Sequence, residues 1–447
     1  MFPKLAKGDE GFLNFLSYIL LILTTCGLPA VYLFDLGQVW YYVLGALFIV
    51  LNIFPSLTRK STKRLTGLND GNTLLIAFQI ALIPDILLLI AAILLYHDDP
   101  ARVWIFVAIA YTAELIVFWN GIIRVYILSK QLGIKRKFLG LLCGMIPVAN
   151  LFVLHYILIV TRREAEEEDY KNKLNATRSE DEICKTRYPV LMVHGVFFRD
   201  FRFFNYWGRI PGELIRNGCT VYYGNQMSAQ SVETCGAEIA AKIKEIIDTT
   251  GCEKVNVIAH SKGGLDTRYA ISCLGMAPYV ASLTTVNTPH RGCKFADYLL
   301  NQASESLKQS VAKKYNTALK LAGDKDPDFI KAVTDLTATR CEELNKIMPD
   351  SPEVYYQSVG SCAYHAVGGR FPLNFSYHLV KHFDGKNDGL VAQPSMVWGE
   401  NFTFFEPVGY RGITHGDMID LNRENVGGFD VREKYVEIVS GLKAKGF

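Results

Sequence analysis

Apolar positions divide the chain at about residue 160. Five long apolar runs precede it, at roughly 11–34, 38–54, 73–96, 103–128 and 138–160, and none follows. Each approaches the roughly 20 residues a helix needs to cross a bilayer core. A soluble helix of such length would show a polar face, and a cleaved leader would be one short run. Residues 1–160 are therefore predicted to form a transmembrane helical domain of about five spans. Residues 161–187, "TRREAEEEDYKNKLNATRSEDEICKTR", are charged and almost free of apolar side chains. They read as a solvated linker of helix-forming composition.

From residue 188 the pattern alternates short buried-strand runs with amphipathic helices. "YPVLMVHG" (188–195) and "CTVYYG" (219–224) read as strands. In 231–251 Ser231 is a candidate N-cap, Ile239, Ile243, Ile246 and Ile247 recur at helical spacing, and Gly251 ends the helix. "EKVNVIAH" is a strand, a helix runs from about Gly263, and "ASLTTVNTPH" (281–290) is the next strand. This alternation predicts an α/β fold, a mostly parallel sheet with helices on both faces, over 188–447. A helical insertion at about 294–350 is a candidate cap or lid.

Charge adds a direction. Residues 1–163 hold 14 Lys+Arg against 8 Asp+Glu, and residues 164–447 hold 33 against 36. No basic stripe or nucleic-acid motif is present, which excludes nucleic acid as a partner. Two loops of the first domain are basic, "RKSTKR" (59–64) and "SKQLGIKRK" (129–137). Basic loops stay in the cytoplasm, so five crossings would carry the second domain outside. If "GMIPVAN" (144–150) breaks the fifth run into a re-entrant hairpin, the second domain is cytoplasmic instead. Eight of ten cysteines lie beyond residue 160, with no C-x-x-C pair. An even count permits disulfides outside the cell, while scattered thiols suit a reducing compartment. Asp85 and Glu114 fall near the middle of runs three and four. Ionisable groups at that depth are costly and are often functional; a protonated acid bonding a neighbouring helix is the other reading.

Candidate chemistry concentrates in "VNVIAHSKGG" (255–264). Ser261 sits where a strand gives way to a helix, between small residues that permit a tight turn. This matches the nucleophile elbow G-x-S-x-G, with Ala259 in place of the first glycine. A serine there needs a base and an orienting acid, following in the order acid, then histidine. Of His290, His365, His378, His382 and His415, only His415 lies late, in the Gly-rich loop "YRGITHGDM" before the last helix. His290 comes too early and is expected to shape the site rim; His378 and His382 read as packing or surface residues. Asp388, in the turn sequence "NDGLV", is preferred to Asp384 as the acid. In "MVHGV" the Val196 N–H, with the Lys262 N–H at the helix start, forms a candidate oxyanion hole, and His194 is expected to bond its own loop.

These residues carry a family likeness. Residues 188–445 resemble the bacterial triacylglycerol lipases of the Pseudomonas and Burkholderia type, in the α/β-hydrolase superfamily. "YPVLMVHGV", "KVNVIAHSKGG", "TRY", "NTPHRGCKFADYL", "CEELNKIMP", "VYYQSVGS", "NDGLV" and "THGDM" stand in that family's order. The resemblance implies a serine hydrolase that cleaves lipid esters through Ser261, Asp388 and His415, with Val196 and Lys262 as oxyanion donors. It does not reach residues 1–160. An acyltransferase using the same triad, or a transport or sensing protein with a non-catalytic hydrolase-like domain, are the alternatives. The family also holds a structural calcium ion with two aspartates. Asp417 matches one, but "AVGGRFPLNF" offers no second, so no metal and no other cofactor is expected. The partners expected are a lipid ester and the bilayer.

Overall fold

A computed structural model describes residues 7–144, 146, 148–196, 205–321, 323–366, 373–406 and 409–447. The chain forms two compact units, Met1–Thr177 and Arg178–Phe447.

The first unit is helical: α1 (Lys7–Leu33), α2 (Gln38–Ile53), α3 (Lys63–Leu95), α4 (Pro100–Leu128), α5 (Gly133–Cys143) and α6 (Ala149–Arg178). Thr62 caps α3 by accepting from the Leu65 N–H, and Asp99 caps α4 ahead of Pro100. Glycine lets α3 and α4 approach closely. A Cβ on Gly121 would lie 2.8 Å from Leu75, and one on Gly71 would lie 3.0 Å from Val125. Small residues at a helix–helix contact serve this purpose in apolar bundles. Among the described residues three helices are long and apolar enough to cross a membrane, Asp9–Leu33, Lys63–Leu95 and Pro100–Leu128; Gln38–Ile53 is a shorter apolar helix.

The fifth apolar run departs from the expectation of one continuous span. It is divided between α5 and α6, with Met145 and Pro147 of "GMIPVAN" outside the described residues. Beyond residue 160, α6 continues through the segment expected to be a solvated linker. That half is anchored within the first unit. Glu164, 1% exposed, accepts from Arg64 (2.6 Å), the Ser129 hydroxyl (2.6 Å) and the Lys130 and Gln131 N–H groups. Asp169 accepts from the Ser61 N–H and pairs with Lys173 at 2.8 Å, while Glu10 pairs with Lys60 and Lys173. The start of α1, both basic loops and the charged half of α6 thus share one end of the bundle. Midway along α3, Gln79 donates to the Leu151 carbonyl near the start of α6. From Leu151, level with the middle of α3, α6 runs to the basic end at Glu164 and Asp169.

The second unit is built on a six-stranded parallel sheet of order β2-β1-β3-β4-β5-β6. The strands are β1 (Val190–Val193), β2 (Val221–Tyr223), β3 (Val255–His260), β4 (Val280–Val286), β5 (Tyr355–Ser361) and β6 (Asn401–Phe405). Every residue of β1, β3 and β4 is buried, as expected where helices cover both faces. Alternate side chains go to opposite layers. Met192, Ile258 and Val286 pack towards α7 (Ile210–Arg216) and the final helix, Val431–Ala444. Leu191, Val193, Val257 and Ala259 pack towards α8 (Val232–Thr250) and α9 (Lys262–Cys273). In α8 Ser231 accepts from the Thr234 N–H and Gly251 closes the helix at φ 71°, both as the sequence indicates. Its Ile239, Ile243 and Ile246 are fully buried or nearly so, each worth about 1.5–3 kcal/mol relative to exposure.

Four helices separate β4 from β5: α10 (Lys294–Gln302), α11 (Glu305–Leu321), α12 (Phe329–Thr334) and α13 (Ala338–Ile347). They occupy the stretch read as a candidate cap. Buried carboxylates tie this insertion to the sheet side. Asp324 accepts from the Ser228 N–H and hydroxyl, and Asp335 accepts from the Val232 N–H. The strand order changes direction between β1 and β3, and in open parallel sheets ligand sites form beyond the carboxyl ends of strands at such a point.

Candidate active site

Both strands at this switch point end in candidate chemistry. Ser261 follows β3 at φ 55°, ψ −131°, a backbone conformation a non-glycine residue adopts only when its surroundings enforce it. The enforcement is visible. The Ser261 N–H is held by the Val286 carbonyl at the end of β4 (2.9 Å). A Cβ on Gly263 would run into the His194 carbonyl, and one on Gly264 into Thr288. Two glycines thus let α9 start directly against the ends of β1 and β4. A Cβ on Gly195 would lie 2.8 Å from the Ser261 Cβ, so the loop after β1 lies against the serine.

His415 and Asp388 are brought together. His415 Nδ1 lies 2.7 Å from Asp388 Oδ2, and the His415 N–H donates to the Asp388 carbonyl. Asp388 is fully buried, with all its acceptor positions used. Oδ1 accepts from the Leu390 and Val391 N–H groups at 2.9 and 2.8 Å, and Oδ2 also accepts from the Asn287 amide at 2.5 Å. Asp384 stands apart, at the end of α14 (Leu373–Asp384), making backbone bonds near Phe295. His415 lies against His260, ring centroids 4.4 Å apart, which sets it beside the residue preceding Ser261. Among the described residues the Ser261 hydroxyl makes no hydrogen bond. Ser261 and His415 are 6% and 7% exposed, so the pair lies beneath the surface.

Val196 packs against Ala229, Leu319 of α11 and Ala332 of α12, so the helical insertion lies over the candidate oxyanion loop; residues 197–204 of that loop are outside the described ones. Lys262 opens α9. Its side chain is buried and its Nζ is 2.5 Å from Asp266 Oδ1, within the first turns of α9. His194 bonds its own loop, with Nδ1 at the Gly195 carbonyl and Nε2 at the Gln226 carbonyl. His290 is not at the rim. It is fully buried, bonds Thr285 at 2.9 Å and stacks on Trp398. Burial, with Arg268 nearby, holds it neutral, well below the usual histidine range. His378 and His382 lie on α14 against Tyr377 and Phe383, and His365 stacks on Tyr410.

Two supporting residues escape sequence reasoning. The Tyr206 hydroxyl accepts from the Gly195 N–H (3.0 Å) and lies 2.7 Å from His260 Nδ1. It therefore fixes the candidate oxyanion loop to the strand carrying the serine. Burial and the neighbouring His415 keep His260 well below its ordinary pKa. Asn287, at φ 47° beyond β4, holds the acid. Neither has a local sequence signal beyond its position after a strand. Asp417 is equally informative. Arg411 binds both its oxygens at 2.9 Å, and the Thr414 N–H and hydroxyl take Oδ2 at 2.8 and 2.7 Å. A carboxylate so occupied by donors has nothing left for calcium, so the residues present do not fit that ion.

Residues 219–356 match a family model described as "Putative serine esterase (DUF676)". A triacylglycerol lipase of Pseudarthrobacter phenanthrenivorans is 33% identical over 215 residues, 44% of this chain; the chain spans only 65% of that relative's length. The Staphylococcus hyicus lipase structure aligns with a TM-score of 0.46 at 16% identity, covering 58% of this chain and 97% of that one. A triacylglycerol lipase of Vibrio cholerae is 30% identical over 246 residues, half of this chain and 78% of the relative. On that coverage and identity, the chain belongs to the triacylglycerol lipase family.

Proposed function

We propose that the second unit is a serine hydrolase cleaving acyl esters of lipids, tethered to the bilayer by the first. Ser261 attacks the ester carbonyl while His415 takes its proton. The tetrahedral oxyanion is met by the Val196 and Lys262 N–H groups. Collapse expels the alcohol, protonated by His415, and leaves an acyl-enzyme. Water activated by His415 then releases the acid. Asp388 keeps the proton of His415 on Nδ1, so that Nε2 faces the serine as a base. The reading rests above all on one observation: a serine in an enforced positive-φ turn follows His260, whose ring lies against His415, and His415 Nδ1 is held by a buried carboxylate. Lipid esters are favoured over small soluble ones by the helices over Val196 and the apolar helices of the first unit. The test is fluorophosphonate labelling with peptide mapping. Label should fall on Ser261, and Ser261→Ala should lose both label and ester hydrolysis. Label persisting after that substitution would remove the serine from the mechanism.

The path of the first unit favours a cytoplasmic hydrolase. The charged half of α6 pairs with Lys60, Arg64 and the 129–131 turn, the end bearing the basic loops. By the positive-inside rule that end is cytoplasmic, and the re-entrant α5–α6 pair returns the chain to it. All ten cysteines are free, as a reducing compartment requires. Protease added to intact cells should leave the second unit whole and cut it only after lysis. Cleavage in intact cells would restore the five-crossing path.

A further inference from the structure

Within the first unit a second cluster of chemistry lies far in sequence from the hydrolase. Cys26 of α1, Asp85 of α3 and Glu114 of α4 converge, with one donor atom from each within 4.8 Å of the others. Glu114 is 6% exposed and faces the Asp85 carboxyl; among the described residues neither of its oxygens, nor Asp85 Oδ1, has a donor from another group. Cys26 is buried and gives its S–H to the Ala81 carbonyl, at 3.6 Å. The two carboxyls are among the residues lining a cavity of about 600 Å³ between α3, α4, α5 and α6. Its other walls are apolar and aromatic, among them Phe78, Phe106, Phe118 and Ile157, and none of the lining residues is basic. Buried carboxyls ordinarily find a donor or a counter-charge. Among the described residues no cation, amide or hydroxyl supplies one to Glu114.

We propose that Cys26, Asp85 and Glu114 bind a divalent transition-metal ion of the zinc type. Charge and ligand chemistry both select it. A divalent cation offsets two of the three negative charges that the deprotonated thiol and carboxyls carry, in an apolar setting where net charge is costly. The sulfur favours a borderline-soft ion over magnesium or calcium, which take oxygen ligands. Three protein ligands leave one tetrahedral position for water or another ligand. An ion arriving through that cavity displaces the protons carried by the ligands to solvent. The proposal is independent of the hydrolase assignment, because none of these residues belongs to the second unit.

The test uses the full chain in detergent micelles, freed of metal and then dialysed against zinc. Elemental analysis should find one zinc ion per chain. Cobalt in its place should give a sulfur-to-metal charge-transfer band in the near ultraviolet, absent from Cys26→Ser. Glu114→Gln and Asp85→Asn should each weaken zinc binding by at least the roughly 10–100-fold that loss of even an outer-shell partner costs. Gel filtration shows whether each variant is folded, and the wild-type zinc count and cobalt spectrum stand without any variant. A wild-type chain that takes up no zinc overturns the proposal, as does cobalt binding without the sulfur band, or undiminished zinc in folded Glu114→Gln.

Discussion

Replacing Asp388 with asparagine tests the candidate site most sharply, because the carboxylate serves four donors at once: His415 Nδ1, the Asn287 amide, and the Leu390 and Val391 N–H groups. An amide has one oxygen to offer and presents an NH2 where the other was. The two backbone donors are fixed, whereas imidazole can move its proton. The new oxygen should therefore turn to Leu390 and Val391, and the new NH2 to His415. The histidine then carries its proton on Nε2, facing Ser261, and is no longer a base. The same exchange in a serine protease triad lowers kcat by about 10⁴. A loss of about 10³–10⁴ is expected here, or about 4–5.5 kcal/mol of barrier at 1.36 kcal/mol per factor of ten. Asp384→Asn, in a carboxyl remote from His415, should stay within about threefold of wild type, since it removes no contact with the reacting groups. Hydrolysis of a chromogenic long-chain ester by both purified variants gives the comparison, with gel filtration to establish folding. More than about a tenth of wild-type activity in Asp388→Asn, or equal losses in the two variants, would refute the assignment.

Tyr206→Phe keeps the ring but orphans the buried Gly195 N–H and His260 Nδ1; at about 1–3 kcal/mol for each unsatisfied group, a loss of about 2–6 kcal/mol in stability should appear as a lower melting temperature, and an unchanged one would dissociate the tyrosine from the loop. Buried His260 and His290, both depressed well below 6.5, stay neutral as pH falls through 6.5, while the same groups in the unfolded chain take up protons. Their contribution is therefore complete above that pH, and below it each should cost up to about 1.36 kcal/mol per pH unit. Melting temperatures from pH 8 to pH 5 should fall, and less so in His290→Gln; a flat profile would contradict the burial of these rings. Burial pushes the Cys184, Cys219, Cys235 and Cys341 thiols up to about 12. Iodoacetamide at pH 8 should therefore modify exposed Cys273 and leave those four untouched until the protein is unfolded, as mass spectrometry of digests would report; early modification of Cys235 would mean that the interior opens readily.

Much of the second unit is legible because its signals are local. A buried run followed by small residues marks β3 and its turn, and a cap, a 3.6-residue period and a glycine mark α8. Asp388 and His415 can be chosen by their order and their turn chemistry. What escapes depends on contacts distant in sequence. Tyr206 meets His260 across 54 positions and Asn287 meets Asp388 across 101, and nothing near either residue marks the partner. β6, "NFTFF", is a short strand at the sheet edge whose residues are only partly buried or exposed, so it lacks the continuous apolar run of β3. Hydropathy alone reads 138–160 as one span. The division between α5 and α6, and the anchoring of Glu164 by residues 100 and 35 positions earlier, become visible only when the helices are assembled. The place of His290 just after β4 suggests the rim, whereas packing against Trp398 puts it inside.

The Arg411–Asp417 pair bears on how the loop carrying His415 responds to its surroundings. A bound ion stabilises a loop through mass action, so the loop's integrity follows the free concentration of that ion and collapses when a chelator removes it. A guanidinium six residues away on the same chain has a local concentration fixed by covalent connection, which neither dilution nor chelation can alter. The order of this loop is therefore decoupled from the ionic composition of the compartment.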